Sequence, residues 1–316
     1  MPAAIADASW RAMAPDQSKT VAGNIVAFVG LGQMGRQMAQ RLGSAGFALR
    51  VWNRTRSRAE GLANARVFDS PREAAAGADL VLSSLADDAA VRQVVLGDDG
   101  VIAGLPAGGV HAGASTISLR LAGELVEAHA ARGQSFVASP VLGRPDAAAR
   151  GELWVLTGGD EAAVARAAPA LACLGQGQIP LGSAPQAVLA KLLANFMIAG
   201  TIELLAEATT LGEKGGIAPQ ALVDLLSRTL FGSPIVKGYG GRMAAGEFRP
   251  AGFAVPLGLK DVELALEAAR DLRAPLPAAG LARDHLIGAL AHGRADWDWG
   301  ALATVVREAA GLPAGG

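Results

Sequence analysis

The chain has 316 residues, 51% hydrophobic and 18% charged, with 28 Lys and Arg against 29 Asp and Glu and a formal net charge of −1. That is apolar enough for a sizeable core and excludes a disordered chain, and at about 150 residues per domain two domains are expected. A near-neutral chain with 4% aromatic residues has neither the field nor the stacking surface to collect nucleic acid or an anionic membrane, and one cysteine, Cys173, excludes an internal disulfide and points to a reducing, cytoplasmic setting.

Residues 1–23 lack the apolar stretch of roughly 7–15 residues that a signal peptide needs. Asp7 and Asp16 interrupt them, so a flexible N-terminal extension is expected. Asn24–Gly30 (NIVAFVG) is a continuous apolar run, as in a strand buried on both faces. Gln33–Ala45 sets Met34, Met38 and Leu42 on one helical stripe. Ala48–Trp52 reads as a second strand and Arg56–Asn64 as a second helix. Ser70-Pro71-Arg72-Glu73 reads as a helix start, with Ser as N-cap and Pro at the first position. Asp79–Leu85, Val110–Ala114, Phe136–Ser139 and Leu153–Thr157 read as further strands, with a helix near Ser118–Arg132.

From Pro185 to about Glu213 the pattern is one helical run ending at Gly215-Gly216, on the order of 40 Å long. Lys191, Asn195, Glu203 and Glu207 inside it argue against a membrane span. Helical segments follow at 219–230, 256–273, 276–291 and 299–310. The expected architecture is α/β: a Rossmann-type doubly wound parallel sheet over 24–183, then a long interdomain helix and an all-helical domain over 184–316.

Gly30-Leu31-Gly32-Gln33-Met34-Gly35 fits G-x-G-x-x-G between a predicted strand and a predicted helix, the context this motif requires. Gly30 allows the tight turn, Gly32 a close approach of a pyrophosphate, and Gly35 close packing of helix on sheet, while the amides at the helix start face the phosphates. The six residues are the expected cofactor contacts in this loop. At the end of the second strand a carboxylate would accept from a ribose 2′-hydroxyl. Here Asn53-Arg54-Thr55 follows instead, and Arg54 can pair with a 2′-phosphate while Thr55 adds a hydroxyl, which favours NADP over NAD. On the plainer reading, Arg54, Arg56 and Arg58 are a solvated helix start.

Four separated motifs together resemble the β-hydroxyacid dehydrogenase family, which includes 3-hydroxyisobutyrate dehydrogenases and glyoxylate/succinic semialdehyde reductases. They are GLGQMGRQM over Gly30–Met38, Ser115-Thr116-Ile117-Ser118, Lys191-Leu-Leu-Ala-Asn195, and Lys260-Asp261 in LGLKDVELAL. The resemblance covers nearly everything from Asn24 onward and implies a helical second domain that dimerises, as a homodimer or tetramer. It implies that Lys191 exchanges a proton with the substrate oxygen while hydride moves to or from the nicotinamide, and that Asn195 orients the substrate or holds the lysine. It implies that Ser115 contacts the substrate carboxylate and Thr116 the nicotinamide end, and that Leu85, Ala86, Val91 and Lys260 are cofactor contacts. On residues alone, Lys191 also reads as a snorkelling core-edge lysine. Asn195 then reads as a satisfied polar residue under a packing site, Thr116 or Ser118 as a helix N-cap, and Lys260 as an exposed partner of Glu263 or Glu267.

The chain departs from the family in places. Gly113 stands where the family has Asp. Pro140-Val141-Leu142-Gly143-Arg144 stands where it has P-V-S-G-G, whose amides hold the substrate carboxylate. Leu142, Gly143 and Arg144 are therefore the expected substrate segment, and Arg144 either pairs with an acidic substrate or caps the turn. Phe231 and Tyr239 lie in a segment that the resemblance puts on the far wall of the cleft, and Asp296–Trp299 at the interface or the cleft rim. His111, His129, His285 and His292 have no metal spacing, so no metal site is expected, and no nucleophile elbow supports Ser-His-Asp catalysis. The resemblance implies an NADP(H)-dependent oxidoreductase acting on a small carbonyl or 3-hydroxyacid. The alternatives are imine reduction, in which Asp or Tyr usually stands at the position of Lys191, and a non-catalytic dinucleotide-binding module.

Overall fold

The computed structural model describes residues 25–315, so the expected extension over 1–23 lies outside them. The elements in chain order are β1 (Ile25–Val29), α1 (Gln33–Ser44), β2 (Ala48–Trp52), β3 (Ala65–Val67), α2 (Pro71–Ala75), β4 (Leu80–Ser83), α3 (Asp88–Val91), α4 (Val101–Gly104), β5 (Val110–Gly113), α5 (Leu119–Ala130), β6 (Ser135–Ala138), β7 (Val141–Leu142), α6 (Pro145–Arg150), β8 (Leu153–Thr157), α7 (Glu161–Ala172) and β9 (Gly175–Pro180). After them come α8 (Ala184–Lys214), α9 (Pro219–Arg228), α10 (Pro234–Ala245), α11 (Val255–Asp271), α12 (Pro277–Ala291) and α13 (Leu302–Ala309). The chain divides between Lys191 and Leu192, inside α8, into two compact units. The expected boundary was Ser183, where the sequence pattern changes; the first two turns of α8 belong instead with the sheet. A Cβ on Gly158 would meet the Ser183 carbonyl and the Ala187 methyl, which is how closely the start of α8 approaches the loop after β8.

In the first unit six parallel strands run in the order β3-β2-β1-β4-β5-β6, the order of a Rossmann-type doubly wound sheet. The change of direction between β1 and β4 opens a crevice at their carboxyl ends. The strands are legible because parallel strands are buried on both faces and need unbroken apolar runs. Phe28, Val51, Val81 and Leu82 are wholly buried accordingly. A second sheet, β7-β8-β9, carries the segment after β6.

Two local expectations are corrected, and one helix is added. Arg56–Asn64 is not a helix: a 3₁₀ turn, Arg56–Ala59, stops where Gly61 takes φ +74, and the chain re-enters the sheet as β3. The segment after Phe231 is helical, as α10, capped by the Ser233 hydroxyl. The helix expected at 299–310 is a 3₁₀ turn, Trp299–Ala301, followed by α13. The expected Ser70 cap is present, its hydroxyl accepting from Glu73 N at 3.0 Å.

The second unit is helical and packs Ile202, Val262, Leu286 and Trp299 into one core. Trp299 does not lie at a rim: it is 2% exposed, packs on Gly258, where a Cβ would meet its ring, and donates to the Tyr239 hydroxyl at 2.7 Å. Tyr239 is therefore a packing residue of this core, whereas Phe231 is exposed. Helix α8 is long and apolar enough to cross a membrane by length and composition, with 39% of its most apolar window buried in the protein.

Candidate active site

The three glycines of the first loop each answer a different physical demand. Gly30 sits at φ +92, and a Cβ there would lie 2.3 Å from the Ser84 carbonyl. A Cβ on Gly35 would lie 2.0 Å from the Gly30 carbonyl, so α1 can start this close to β1 only with glycine. A Cβ on Gly32 would meet nothing within 4 Å. The protein's own packing does not require that glycine; it leaves open backbone at the mouth of the loop. Gly32 is also the N-cap of α1 and brings no side-chain cap, so the amides of the first turn, from Gln33 onward, face a position that suits an anion. An oxygen-rich diphosphate fits this cradle, with Leu31, Gln33 and Met34 flanking it.

Asn53 follows β2 and is spoken for. Its Oδ1 accepts from Leu31 N at 2.8 Å, and its Nδ2 donates to the Thr55 carbonyl at 2.8 Å. One side chain thus ties the glycine loop after β1 to the turn that carries Arg54 and Thr55, both exposed. Arg36 braces that turn from α1, donating to the carbonyls of Arg58 and Glu60.

The carboxyl ends of β4 and β5 bring the next candidates together. Leu85 N donates to Ser115 Oγ at 2.8 Å, so the loop after β4 holds the loop after β5. Ser118, not Thr116, caps α5: its hydroxyl accepts from Leu121 N at 3.1 Å and donates to Asp88 Oδ2 at 2.5 Å. Asp88, which the sequence reading missed, also accepts from Ser118 N. The segment Ser115–Ser118 is therefore pinned at each end, with Thr116 half-buried between. Val91 is buried on α3, Leu85 half-buried and Ala86 exposed.

Leu142 pairs with Trp154 across β7–β8, and Gly143 takes φ +141 with no room for a Cβ against Leu153. Arg144 is the N-cap residue of α6, with extended backbone at φ −109 and ψ 171. Lys191 is half-buried at the end of the first unit.

In the second unit Asn195 donates to the buried carboxylate of Asp261, whose other oxygen lies 3.0 Å from Lys260 Nζ. Beside the partners expected for Lys260, Glu263 and Glu267, the adjacent Asp261 is one that the sequence reading did not weigh. This carboxylate joins two candidate residues, and the sequence reading quoted it only as part of a motif. Among the described residues no group of three or more His, Cys, Asp or Glu is placed to hold a metal. The histidines are not all scattered, however: His111 and His129 touch, and Ser83 bonds to His111, an arrangement that their 28- and 18-residue separations hid from the sequence.

Residues 25–188 match the family described as the NAD binding domain of 6-phosphogluconate dehydrogenase. Residues 186–306 match the one described as NAD-binding of NADP-dependent 3-hydroxyisobutyrate dehydrogenase. The uncharacterized oxidoreductase YfjR of Bacillus subtilis is 42% identical over 285 residues, 89% of this chain and 99% of that one. The 3-sulfolactaldehyde reductase of Escherichia coli is 33% identical over 293 residues, 92% and 98% of the two chains. A solved structure of Mycobacterium tuberculosis 3-hydroxyisobutyrate dehydrogenase with L-serine superposes with a TM-score of 0.80 at 30% identity, covering 90% of this chain and 99% of the other.

Proposed function

The chain belongs to the β-hydroxyacid dehydrogenase family and is a pyridine-nucleotide-dependent oxidoreductase, and from that premise we propose that it moves hydride between NADP(H) and a small, anionic carbonyl compound or 3-hydroxyacid. The observation that carries the reading is the loop after β1. Its open Gly32 faces an uncapped helix start, and Asn53 ties it to Arg54 and Thr55. Those two side chains supply a cation and a hydroxyl where a carboxylate would reject a 2′-phosphate.

The bound nicotinamide supplies or accepts the hydride. An oxygen that gains negative charge as its carbon is reduced needs a proton, and Lys191 is the residue we assign to give it, or to take it in the reverse direction. Asn195, its amide held by Asp261, keeps its part in orienting the substrate. Ser115 donates its hydroxyl to the substrate anion, and Arg144 pairs with that anion in place of the backbone amides that the resemblance implies for the typical member of the family. A guanidinium suits a carboxylate or the sulfonate of a substrate such as the one for which the Escherichia coli relative is named.

A substrate panel followed by NADPH absorbance tests the reading. It should contain glyoxylate, succinic semialdehyde, 3-sulfolactaldehyde, 3-hydroxyisobutyrate and a neutral cyclic imine. An anionic member should be the best substrate, and Arg144→Gly should raise its KM far more than it lowers kcat. A best substrate that is the neutral imine, unaffected by Arg144→Gly, would move the protein to imine reduction.

A further inference from the structure

Ser83 on β4, His111 on β5, and His129 and Gln134 at the end of α5 and just after it form an unbroken run of side-chain hydrogen bonds. The proposed chemistry does not use it. Ser83 Oγ lies 2.8 Å from His111 Nε2, His111 Nδ1 3.0 Å from His129 Nε2, and His129 Nδ1 2.9 Å from Gln134 Oε1. All four residues are buried, the two histidines completely, and the Phe136 ring packs on both imidazoles.

The direction of the run follows from its far end. Gln134 Nε2 donates to the carbonyls of Ile102 and Leu105, at 3.0 and 2.5 Å, so the oxygen of the amide is what faces His129. An amide oxygen only accepts, so His129 carries its proton on Nδ1. Burial pushes His129 down to about 4 and His111 well below its ordinary range, so at pH 7 each ring is neutral and has one donor nitrogen. His129 Nε2 therefore accepts, His111 Nδ1 donates to it, and His111 Nε2 accepts in turn. The proton between His111 and Ser83 belongs to the serine.

At the near end Ser83, His111, Gly113 and Ser115 line a cavity of about 10 Å³, close to the least that one water requires. Ser115 Oγ has one lone pair taken by Leu85 N. We propose that His111 is a positioning residue for Ser115: with its proton committed to His111, Ser83 meets a water in the cavity only as an acceptor, and in the arrangement we assign, the second hydrogen of that water goes to the remaining lone pair of Ser115 and turns the Ser115 proton outward. The serine then approaches a substrate carboxylate as a donor. The inference rests on the assignment of Ser115 as a substrate contact.

Its test compares Ser115→Ala, His111→Leu, the double variant, and His111→Gln, whose amide oxygen can still accept from Ser83. The probe is succinic semialdehyde, and NADPH affinity is measured alongside by fluorescence titration. KM should rise on the order of tenfold in each of the first two variants, as for a lost bond to a charged group. The double variant should be no worse than Ser115→Ala, His111→Gln should recover most of the loss, and NADPH affinity should stay level throughout. An unchanged KM in Ser115→Ala would overturn the assignment of Ser115 and the inference with it. A Ser115→Ala effect to which His111→Leu adds in full would overturn the inference alone. If His111→Leu does not fold, nitrogen-15 spectra of the wild-type histidines decide. Two neutral rings protonated on Nδ1 at pH 7 support the run as drawn, and an Nε2–H tautomer at either His111 or His129 refutes it.

Discussion

Acid should weaken this protein through His129 before its surface carboxylates matter. Burial is the main cause of the low pKa of His129; the bond it donates to Gln134 works against it and the nearby Arg132 charge adds to it, for a net fall from 6.5 to about 4. Above pH 6.5 the ring is neutral whether the chain is folded or not, and the stabilisation is fully present. Below 6.5 the unfolded chain takes up a proton that the folded chain refuses, so stability is lost as the pH falls, until the folded ring protonates near 4. At about 1.4 kcal/mol per pH unit over roughly 2.5 units, the loss approaches about 3 kcal/mol, a sizeable part of the roughly 5–15 kcal/mol that holds a domain together. His111, buried beside it, acts in the same direction. Urea unfolding at half-unit steps from pH 7 to 4.5, on wild type and His129→Gln, measures the effect, because carboxylates common to both chains cancel in the comparison. The wild-type stability should fall more steeply, by about 1.4 kcal/mol per pH unit. Parallel slopes between pH 6.5 and 4.5 would refute the buried, neutral His129 on which the reasoning depends.

Other outcomes follow from the site. Lys191→Met should lower kcat by about 10²–10⁴ on the best substrate and leave NADPH affinity within about twofold, read by steady-state kinetics and fluorescence titration. Arg54→Ala should remove a preference for NADPH over NADH of about tenfold or more, seen by titrating the two cofactors side by side. Met197, Leu204 and Leu211 are 63%, 68% and 75% exposed along α8, an apolar stripe that a second copy of the chain would cover. Light scattering at micromolar concentration should therefore give at least twice the 31.9 kDa chain mass.

What the sequence disclosed was decided by how far each feature depends on neighbours in the chain. β1, α1, β2 and β8 were legible, because burial on two faces or along one stripe writes itself into consecutive residues. β3 is three residues long with an exposed Arg66, and β9 reads Gly-Gln-Gly-Gln-Ile-Pro; such strands pair at a sheet's margin and carry no apolar run. α10 was hidden by Gly238, Gly240 and Gly241, which lower helix propensity. At Gly240 the reason is packing, since a Cβ would meet Val223 at 2.9 Å. Within the candidate site the glycine loop after β1 and Asn53–Thr55 could be singled out by motif and spacing. Asp88, Asp261 and the His111–His129 contact could not, since each acts on a residue brought near only by the fold. One trace of the last was available: a histidine in the middle of the otherwise apolar strand Val110–Gly113 has to find a partner.

The double duty of Asn53 bears on how cofactor preference in such a chain could drift over evolutionary time. The simplest mutational step toward a ribose-binding carboxylate would be Asn53→Asp. That step keeps the acceptor for Leu31 N but replaces the donor that faces the Thr55 carbonyl with a second acceptor. It would loosen the turn it was meant to retune. With the role proposed for Arg54, the route with fewer side effects runs through that residue, which is exposed and lies outside this clasp. A lineage can alter Arg54 first and leave Asn53 in place, so the asparagine works as a ratchet on the order in which substitutions are accepted.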